Sequence, residues 1–215
     1  MGDAARRQHQ RSERDHELWS RFTLIWQGNR LQSGAVSLGV MATYTIRTFG
    51  DPVLKQRARE VEELDGALAR LVDTMYETMY EASGVGLAAP QVGVQRRIFT
   101  YDVGEGPEVL VNPEIVASSG DWSFEEGCLS IPGLAFEIVR PKVVTVRGLD
   151  LEGNERLFEA DEYLGRVMQH ELDHLDGVLL LDRLEPDVRK QALRAWRERE
   201  LLGSPPVPRN GQPRL

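Results

Sequence analysis

The sequence predicts an α+β fold, a single domain in which antiparallel strands surround a central helix. Strand-like segments lie before and after helical ones, without the regular strand-helix-strand alternation of a parallel sheet. The 215 residues, 41% of them hydrophobic, suffice for one substantial core and do not require a second. Near the C-terminal end, Leu164, Val167, Met168 and Leu175 recur at helical spacing before Gly177, a residue typical of helix C-termini. This segment is the predicted central helix, and acidic Glu159, Asp161 and Glu162 suit its first turn.

The other elements are predicted from periodicity and turn residues. A short extended run at residues 44–49 and a turn at Asp51-Pro52 precede a long helix at about residues 64–82. Strands are predicted at residues 97–102, 108–112, 138–149 with a break at Pro141, and 155–158. Beyond the central helix we expect a short strand at residues 178–181 and a charged helix at residues 186–200.

Composition divides the chain into four segments. Residues 1–40 form an N-terminal extension, expected to lie outside the core and to contain one short amphipathic helix, and residues 41–185 form the globular domain. Residues 186–203 are the charged C-terminal helix, and residues 204–215, with four prolines, are predicted to be disordered.

Charge and cysteine content narrow the class of protein. Residues 41–185 carry 27 acidic and 13 basic residues, and a body with a net charge of −14 argues against DNA binding. A single cysteine, Cys128, excludes an intramolecular disulfide and fits a reducing compartment. The longest apolar runs fall short of the ~20 residues that span a membrane, and the N-terminus does not resemble a secretory signal. We therefore expect a soluble, cytoplasmic protein.

The C-terminal segment has the opposite charge. Residues 186–215 carry seven basic and three acidic residues. Such a segment is more often an ordinary solvated helix face than a surface that docks on RNA or a ribosome, so the first interpretation is favoured and the second stays open.

The central helix contains the strongest chemical pattern in the chain, His-Glu-Leu-Asp-His at residues 170–174. Residues four apart on a helix lie within about 40° of each other, so His170 and His174 can reach one metal ion while Glu171 lies beside it. A five-residue match also arises by chance. The interpretation gains weight because the only other histidines, His9 and His16, lie in the polar N-terminal stretch.

A glycine-rich stretch, residues 84–93, superficially resembles a dinucleotide-binding loop. That interpretation fails because a helix precedes the stretch and Pro90 interrupts the segment in which a helix should begin. Backbone passing close to a ligand is the better explanation, with Gln91 as the side chain that offers both donors and an acceptor.

The helix motif alone does not identify the third metal ligand. A histidine three residues after Gly177 would extend the motif, but that position is Leu180. A downstream glutamate, Glu185 or Glu198, would indicate a metalloprotease. Cys128 is the other candidate, although a lone cysteine is more often a small buried hydrophobe.

Taken together, three segments resemble the peptide deformylase family. Its motifs are Gly-hydrophobic-Gly-hydrophobic-Ala-Ala-x-Gln, Glu-Gly-Cys-hydrophobic-Ser and Gln-His-Glu-hydrophobic-Asp-His. Residues 84–91, 126–130 and 169–174 match them in order. The resemblance extends over roughly residues 43–184, and it implies removal of the formyl group from nascent formyl-methionyl peptides, with release of formate.

The resemblance also implies roles for individual residues. Cys128, His170 and His174 would bind the metal, and Glu171 would act as general base and acid. The family uses Fe(II), with zinc, nickel or cobalt able to occupy the site, and these ligands do not discriminate among the ions.

The remaining implied roles concern the substrate. Gln91 and the Leu129 N–H would bind the oxyanion, and the Gly86 backbone would hold the formamide. Analogy and periodicity suggest four residues for the methionine pocket, although these could equally be ordinary core: Val85, Phe124, Tyr163 and Val167. Arg140 and Asp173 match a structural ion pair. The competing interpretations are a metalloprotease with a glutamate ligand and a non-enzymatic relative that only holds metal.

Overall fold

The structure, a computed structural model, describes residues 43–202. Its helices and strands lie in residues 43–103 and 107–202. The predictions for residues 1–40 and 204–215, an amphipathic extension and a disordered tail, lie outside the described residues.

Three α-helices are present in residues 43–202: α1 (Gly66–Glu81), α2 (Glu162–Leu175) and α3 (Pro186–Leu201). Asp65 caps the N-terminus of α1, and its carboxylate accepts hydrogen bonds from the N–H groups of Ala67 and Leu68. These bonds satisfy two of the donors that the first turn of a helix leaves unpaired. The buried face of α1 follows the predicted periodicity, with Leu68, Leu71, Val72, Met75 and Met79 turned inward.

In the same part of the chain, seven strands form two sheets, and every strand pair is antiparallel, as the sequence predicted. They are β1 (Gly86–Ala88), β2 (Ile98–Tyr101), β3 (Glu108–Ser119), β4 (Trp122–Gly127), β5 (Ala135–Arg140), β6 (Val143–Leu149) and β7 (Glu155–Asp161). The larger sheet has the order β1-β2-β3-β6-β7, and β4 pairs only with β5. Strands β3 and β6 are direct neighbours in the sheet, so the β4–β5 hairpin is an insertion in the chain between two paired strands.

Two apolar clusters form in residues 43–202. One packs α1 against the sheet through Leu87, Ile98 and Val111. The other joins the loop after β4 to α3, and it contains Cys128, Ile131, Leu181, Ala192 and Trp196. The loop with the single cysteine is therefore held from behind by the C-terminal helix.

The run at residues 44–49 forms no strand. Residues 44–48 have no regular structure, residue 49 begins a turn, and the backbone bonds go to separate segments: Arg47 N–H donates to the Gln91 carbonyl and Phe49 N–H to that of Ser130. The strand predicted at residues 178–181 is wrong. Residues 178–181 run into a 3-10 helix, Leu180–Arg183, where the Asp182 carboxylate accepts the Leu179 N–H at 2.8 Å. A side chain in this turn satisfies backbone donors that a strand would have paired in a ladder.

Several boundaries also differ. Glu159 and Asp161 lie in β7 rather than in the first turn of α2, where Glu162 is the only acidic residue. Strand β3 runs seven residues beyond the predicted end at Asn112, and β1 and β4 were not predicted. Gly177 follows α2 with φ 73°, as expected, and a Cβ there would lie 2.8 Å from the backbone of Lys55.

Candidate metal centre

Helix α2 is enclosed on every side, since each residue from Gly165 to Leu175 is buried. Polar side chains in such a helix require partners, because a buried polar group without one is costly. His170 and His174 are each at most 2% exposed, and their ring centroids lie 5.0 Å apart. The helical spacing therefore brings both imidazoles to one place inside the protein.

Cys128 reaches the two histidines from the loop after β4. Its Sγ lies 3.2 Å from Nε2 of His174, and ligand atoms of Cys128, His170 and His174 lie within 4.8 Å of one another. All three residues are buried, and neither Glu185 nor Glu198 belongs to this group. Within residues 43–202, the cysteine is thus the third donor beside the histidines.

The His170 ring is oriented as a metal ligand requires. His170 Nδ1 lies 2.9 Å from Oε2 of Glu126, and a carboxylate can only accept, so Nδ1 is the protonated nitrogen. Its Nε2 is left buried, with no hydrogen-bond partner in the described part of the chain. A carboxylate behind a histidine that offers its other nitrogen is the usual second contact of metal-binding histidines. One thiol and two imidazoles supply three sulfur and nitrogen donors, the number of protein ligands that a catalytic zinc site uses, so the residues fit a divalent metal.

The burial of this centre determines its protonation. Burial raises the pKa of the Cys128 thiol to about 12 and lowers the pKa of His174 well below its usual value. Without a cation nearby, the residues are therefore a neutral thiol and a neutral imidazole. A bound cation reverses this preference for the thiol, because it stabilises the thiolate.

Glu171 lies beside the three donors without belonging to them. It is fully buried, and both carboxylate oxygens lack a hydrogen-bond partner within residues 43–202. Burial raises its pKa well above the ordinary glutamate value, and the charge of Arg140 offsets this only in part. A Cβ added at Gly86 would lie 2.3 Å from Oε1 of Glu171, so β1 passes directly over the carboxyl group.

Gln91 is fixed with its amide nitrogen toward the centre. Its Oε1 accepts the Ala88 N–H at 2.7 Å, which sets the orientation of the carboxamide. Nε2 then donates to Oγ of Ser130 at 3.3 Å and lies 3.9 Å from Sγ of Cys128. Leu129, next to the cysteine, is buried, and its side chain would touch a Cβ at Gly84 at 2.7 Å.

The buried charge contacts of Glu126, behind the centre, were not predicted from the sequence. Glu126 is completely buried and accepts from Nε and Nη2 of Arg140, from Nη1 of Arg166 at 2.7 Å, and from His170. Burial works to raise the pKa of Glu126, but His170 and Arg140 outweigh it and hold that pKa far below the usual range. The sequence contains one indication of these contacts. Arg166 lies on the inward face of the predicted helix, and a charged residue there requires a buried partner of opposite charge.

The expected ion pair of Arg140 with Asp173 is present. Arg140 Nη1 lies 2.7 Å from Oδ2 of Asp173. Arg140 therefore connects this carboxylate to that of Glu126.

The four predicted pocket residues lie in two different settings. Val85 and Val167 are fully buried. Phe124 and Tyr163 make an edge-on ring contact with centroids 5.9 Å apart, and Trp122 stacks on Phe124 at 4.8 Å. The structure thus brings Phe124 and Tyr163 together, and their role in binding a substrate stays a prediction.

Among the described helices, none has the length and apolar character needed to cross a membrane.

Comparison with known proteins places this centre in a family. The family model for polypeptide deformylase matches residues 43–190. A peptide deformylase of Agathobacter rectalis is 52% identical over 145 residues, which cover 67% of this chain and 92% of that protein. The crystal structure of a peptide deformylase from Legionella pneumophila has a TM-score of 0.71 and 43% identity, covering 75% of this chain and 97% of that one. A peptide deformylase from Ehrlichia chaffeensis, solved in complex with actinonin, has a TM-score of 0.71 and 40% identity, covering 74% and 99%. With a family match over more than half its length, this chain belongs to the peptide deformylase family.

Proposed function

We propose that this chain is a metal-dependent hydrolase that removes the N-formyl group from the N-terminal methionine of newly made polypeptides and releases formate. The observation that carries the proposal is the grouping of Cys128, His170 and His174 within 4.8 Å, with the unpartnered carboxyl group of Glu171 on the same helix. A site that only stores metal has no use for such a group. A metalloprotease with a glutamate ligand leaves Cys128 unexplained.

In this proposal Cys128, His170 and His174 hold a divalent ion, which would act as a Lewis acid and promote the ionisation of water. Family resemblance favours Fe(II), and zinc, nickel or cobalt also suit sulfur and nitrogen donors. Soft and borderline metals are compatible with one thiolate and two imidazoles, so the native metal requires elemental analysis after anaerobic purification.

Glu171 moves the protons. A carboxyl group with a raised pKa is suited to take a proton from the attacking water and to pass it to the departing amine. Neither oxygen is engaged by another residue of the described chain, so both are available to water and substrate. The position of β1 over Glu171 supports a role for the Gly86 backbone in holding the formamide.

Two donors stabilise the negative charge that develops on the formyl oxygen. Gln91 Nε2 is held toward the centre by the Ala88 bond to the opposite end of the carboxamide. The backbone N–H of Leu129 is proposed as the second donor. Fixed donors of this kind typically each contribute on the order of 10² to 10³ in rate.

Formate release tests the function. The metal-loaded chain should release formate from a formyl-methionyl peptide, and Glu171→Ala should retain metal but lose about 10² to 10⁴ in kcat, as expected for loss of a general base. If Glu171→Ala keeps its turnover, or loses its metal instead, the proposed role of Glu171 is wrong.

The proposed partners are nascent formyl-methionyl peptides in the cytoplasm. Helix α3 presents exposed Arg189, Lys190, Arg194 and Arg197, while Ala192 and Trp196 pack inward. An ordinary solvated face remains the simpler interpretation of these charges, and docking on a ribosome is the second. Co-sedimentation with ribosomes, with and without reversal of the four charges, distinguishes the two.

A further inference from the structure

Asp173 lies beside the ligand His174 in sequence, but its carboxylate is occupied by two arginines. Oδ2 accepts from Nη1 of Arg140 at 2.7 Å and from Nε of Arg183 at 3.0 Å. Oδ1 accepts from Nη2 of Arg183. Arg183 thus grips the carboxylate with two parallel donors, the geometry that fixes a carboxylate most firmly.

The ion pairs continue inward from this carboxylate to a metal ligand. Arg140 passes from Asp173 to Glu126, which it contacts at 2.7 and 2.9 Å, and Glu126 accepts from Nδ1 of His170 at 2.9 Å. Exposure falls along the line: the Arg183 side chain is 47% exposed, Asp173 11%, Arg140 5% and Glu126 0%. Four side chains therefore connect the protein surface to Nδ1 of His170, the nitrogen whose hydrogen bond orients the ring.

We propose that Arg183 is a positioning residue for His170, and that through Asp173, Arg140 and Glu126 it sets the affinity of the centre for its metal. The inference rests on the proposed metal site. Arg140 is held by three hydrogen bonds that it donates, two to Glu126 and one to Asp173. If Arg183 is removed, Oδ1 of Asp173 loses its partner and the carboxylate can turn to solvent. Arg140 then loses one of its two anchors and can shift, and Glu126 is left with Arg166 as its one firmly placed arginine partner.

The expected change in metal affinity depends on how many residues lie between Arg183 and the metal ligand His170. Partners that contact a metal-binding histidine directly usually change metal affinity by about 10- to 100-fold. Arg183 acts through three intervening residues, so we expect a smaller change, about 3- to 10-fold. Networks of buried polar groups transmit such changes because their members orient one another.

The chain offers a matched control in Arg189. Its side chain is also 47% exposed and also pairs with a carboxylate, Oδ1 of Asp182 at 3.0 Å. The other partners of Asp182 are Lys55 and the Leu179 N–H, and neither is part of the line of ion pairs from Arg183 to His170. Arg189→Gln therefore removes a similar ion pair without touching the line to His170.

The test measures metal affinity rather than turnover. The zinc-loaded full chain and its variants Arg183→Gln, Arg183→Lys and Arg189→Gln are challenged with a chelator of known affinity. The absorption spectra of the cobalt-loaded forms report the ligand geometry. We expect Arg183→Gln to bind zinc about 3- to 10-fold more weakly with an altered cobalt spectrum, and Arg189→Gln to match the parent. Arg183→Lys should be intermediate, since lysine keeps the charge but not the two-donor geometry.

The outcomes separate the inference from the proposed function. Equal zinc affinities in Arg183→Gln and Arg189→Gln overturn the inference. If Arg183→Gln does not fold, Arg183→Lys decides, and parental affinity and spectrum in that variant overturn it too. A parent that binds metal tightly but releases no formate overturns the function alone.

Discussion

Replacing Gly86 by alanine should move the Glu171 carboxyl group without touching the metal ligands. The added Cβ would lie 2.3 Å from Oε1, 2.8 Å from Cδ and 3.0 Å from Cγ of Glu171. Ordinary contacts to a Cβ begin near 3.4 Å, so Oε1 must retreat by about 1 Å. Gly86 has no positive φ, so its backbone conformation suits alanine and the steric contact is the main perturbation.

The displacement predicts the loss of rate. Misplacing a catalytic group by ~1 Å costs on the order of 10² in rate, because proton transfer needs a short, aligned hydrogen bond. We therefore expect kcat for a formyl-methionyl peptide to fall about 100-fold. Overpacking of a filled site should lower the free energy of unfolding by about 1–3 kcal/mol.

The assay is formate release at saturating peptide, with metal content measured on the same samples. Gly66→Ala is the control, since a Cβ there meets only Arg70 Nη1 at an ordinary 3.5 Å, and it should leave both quantities unchanged. Gly86→Ala with its full metal content and kcat within about threefold of the parent would refute this role of Glu171. Loss of metal at an unchanged rate per bound metal would refute it as well.

The described contacts lead to four further predictions. Cys128→Ser should lower metal affinity sharply while the fold survives; tight binding of one equivalent by the variant would contradict the ligand set. Glu126→Gln should lower the free energy of unfolding by about 3–5 kcal/mol in chemical denaturation, because two buried guanidinium groups lose their shared carboxylate; a change below ~1 kcal/mol would contradict this. Burial works to raise the pKa of Asp182, but Lys55 and the Leu179 N–H lower it. The stabilisation from Asp182 is therefore complete above the unfolded pKa of 3.8 and is lost as pH falls through the lower folded pKa. In thermal unfolding scans at acid pH, Asp182→Asn should make the melting temperature depend less on pH, and an unchanged dependence would exclude the contribution. Deletion of residues 1–40 should leave kcat/KM within about twofold, and a large loss would show that the extension packs on the domain.

The parts of the fold that were predicted correctly depend on local pattern. Helices α1 and α2 were recognised because apolar residues recur at a helical period over four turns, and His170 to His174 is a spacing within one helix. The position of Cys128 beside them was inferred from a family resemblance, since 42 residues separate it from His170 and no local rule measures that distance. The structure adds the 3.2 Å contact of Cys128 with His174.

The parts that were missed depend on contacts distant in the sequence. Strand β4 alternates Trp122, Phe124 and Glu126 with exposed residues, yet its identity as a strand depends on pairing with β5 across a loop. Glu126 lies within a family motif but has no role that the sequence reveals, because its partners Arg140 and Arg166 come from other elements. Residues 178–181 are apolar enough for a strand. They form a turn instead because the Asp182 side chain accepts a hydrogen bond from the Leu179 N–H.

The β4–β5 hairpin is inserted between two paired strands, and the cysteine that follows β4 lies far from the histidines in sequence. A metal bound in this centre would therefore also cross-link distant parts of the chain. Cys128 and His174 are 46 residues apart in the chain, so an ion that joins them closes a long loop. In the unfolded chain such a closure removes conformational entropy, and for a covalent link across a loop of this length the stabilisation is roughly 4 kcal/mol. A tightly held ion would approach this value for the whole segment from hairpin to helix. The lone cysteine would then restrain the unfolded chain as a disulfide does, in a protein that has no second cysteine with which to form one.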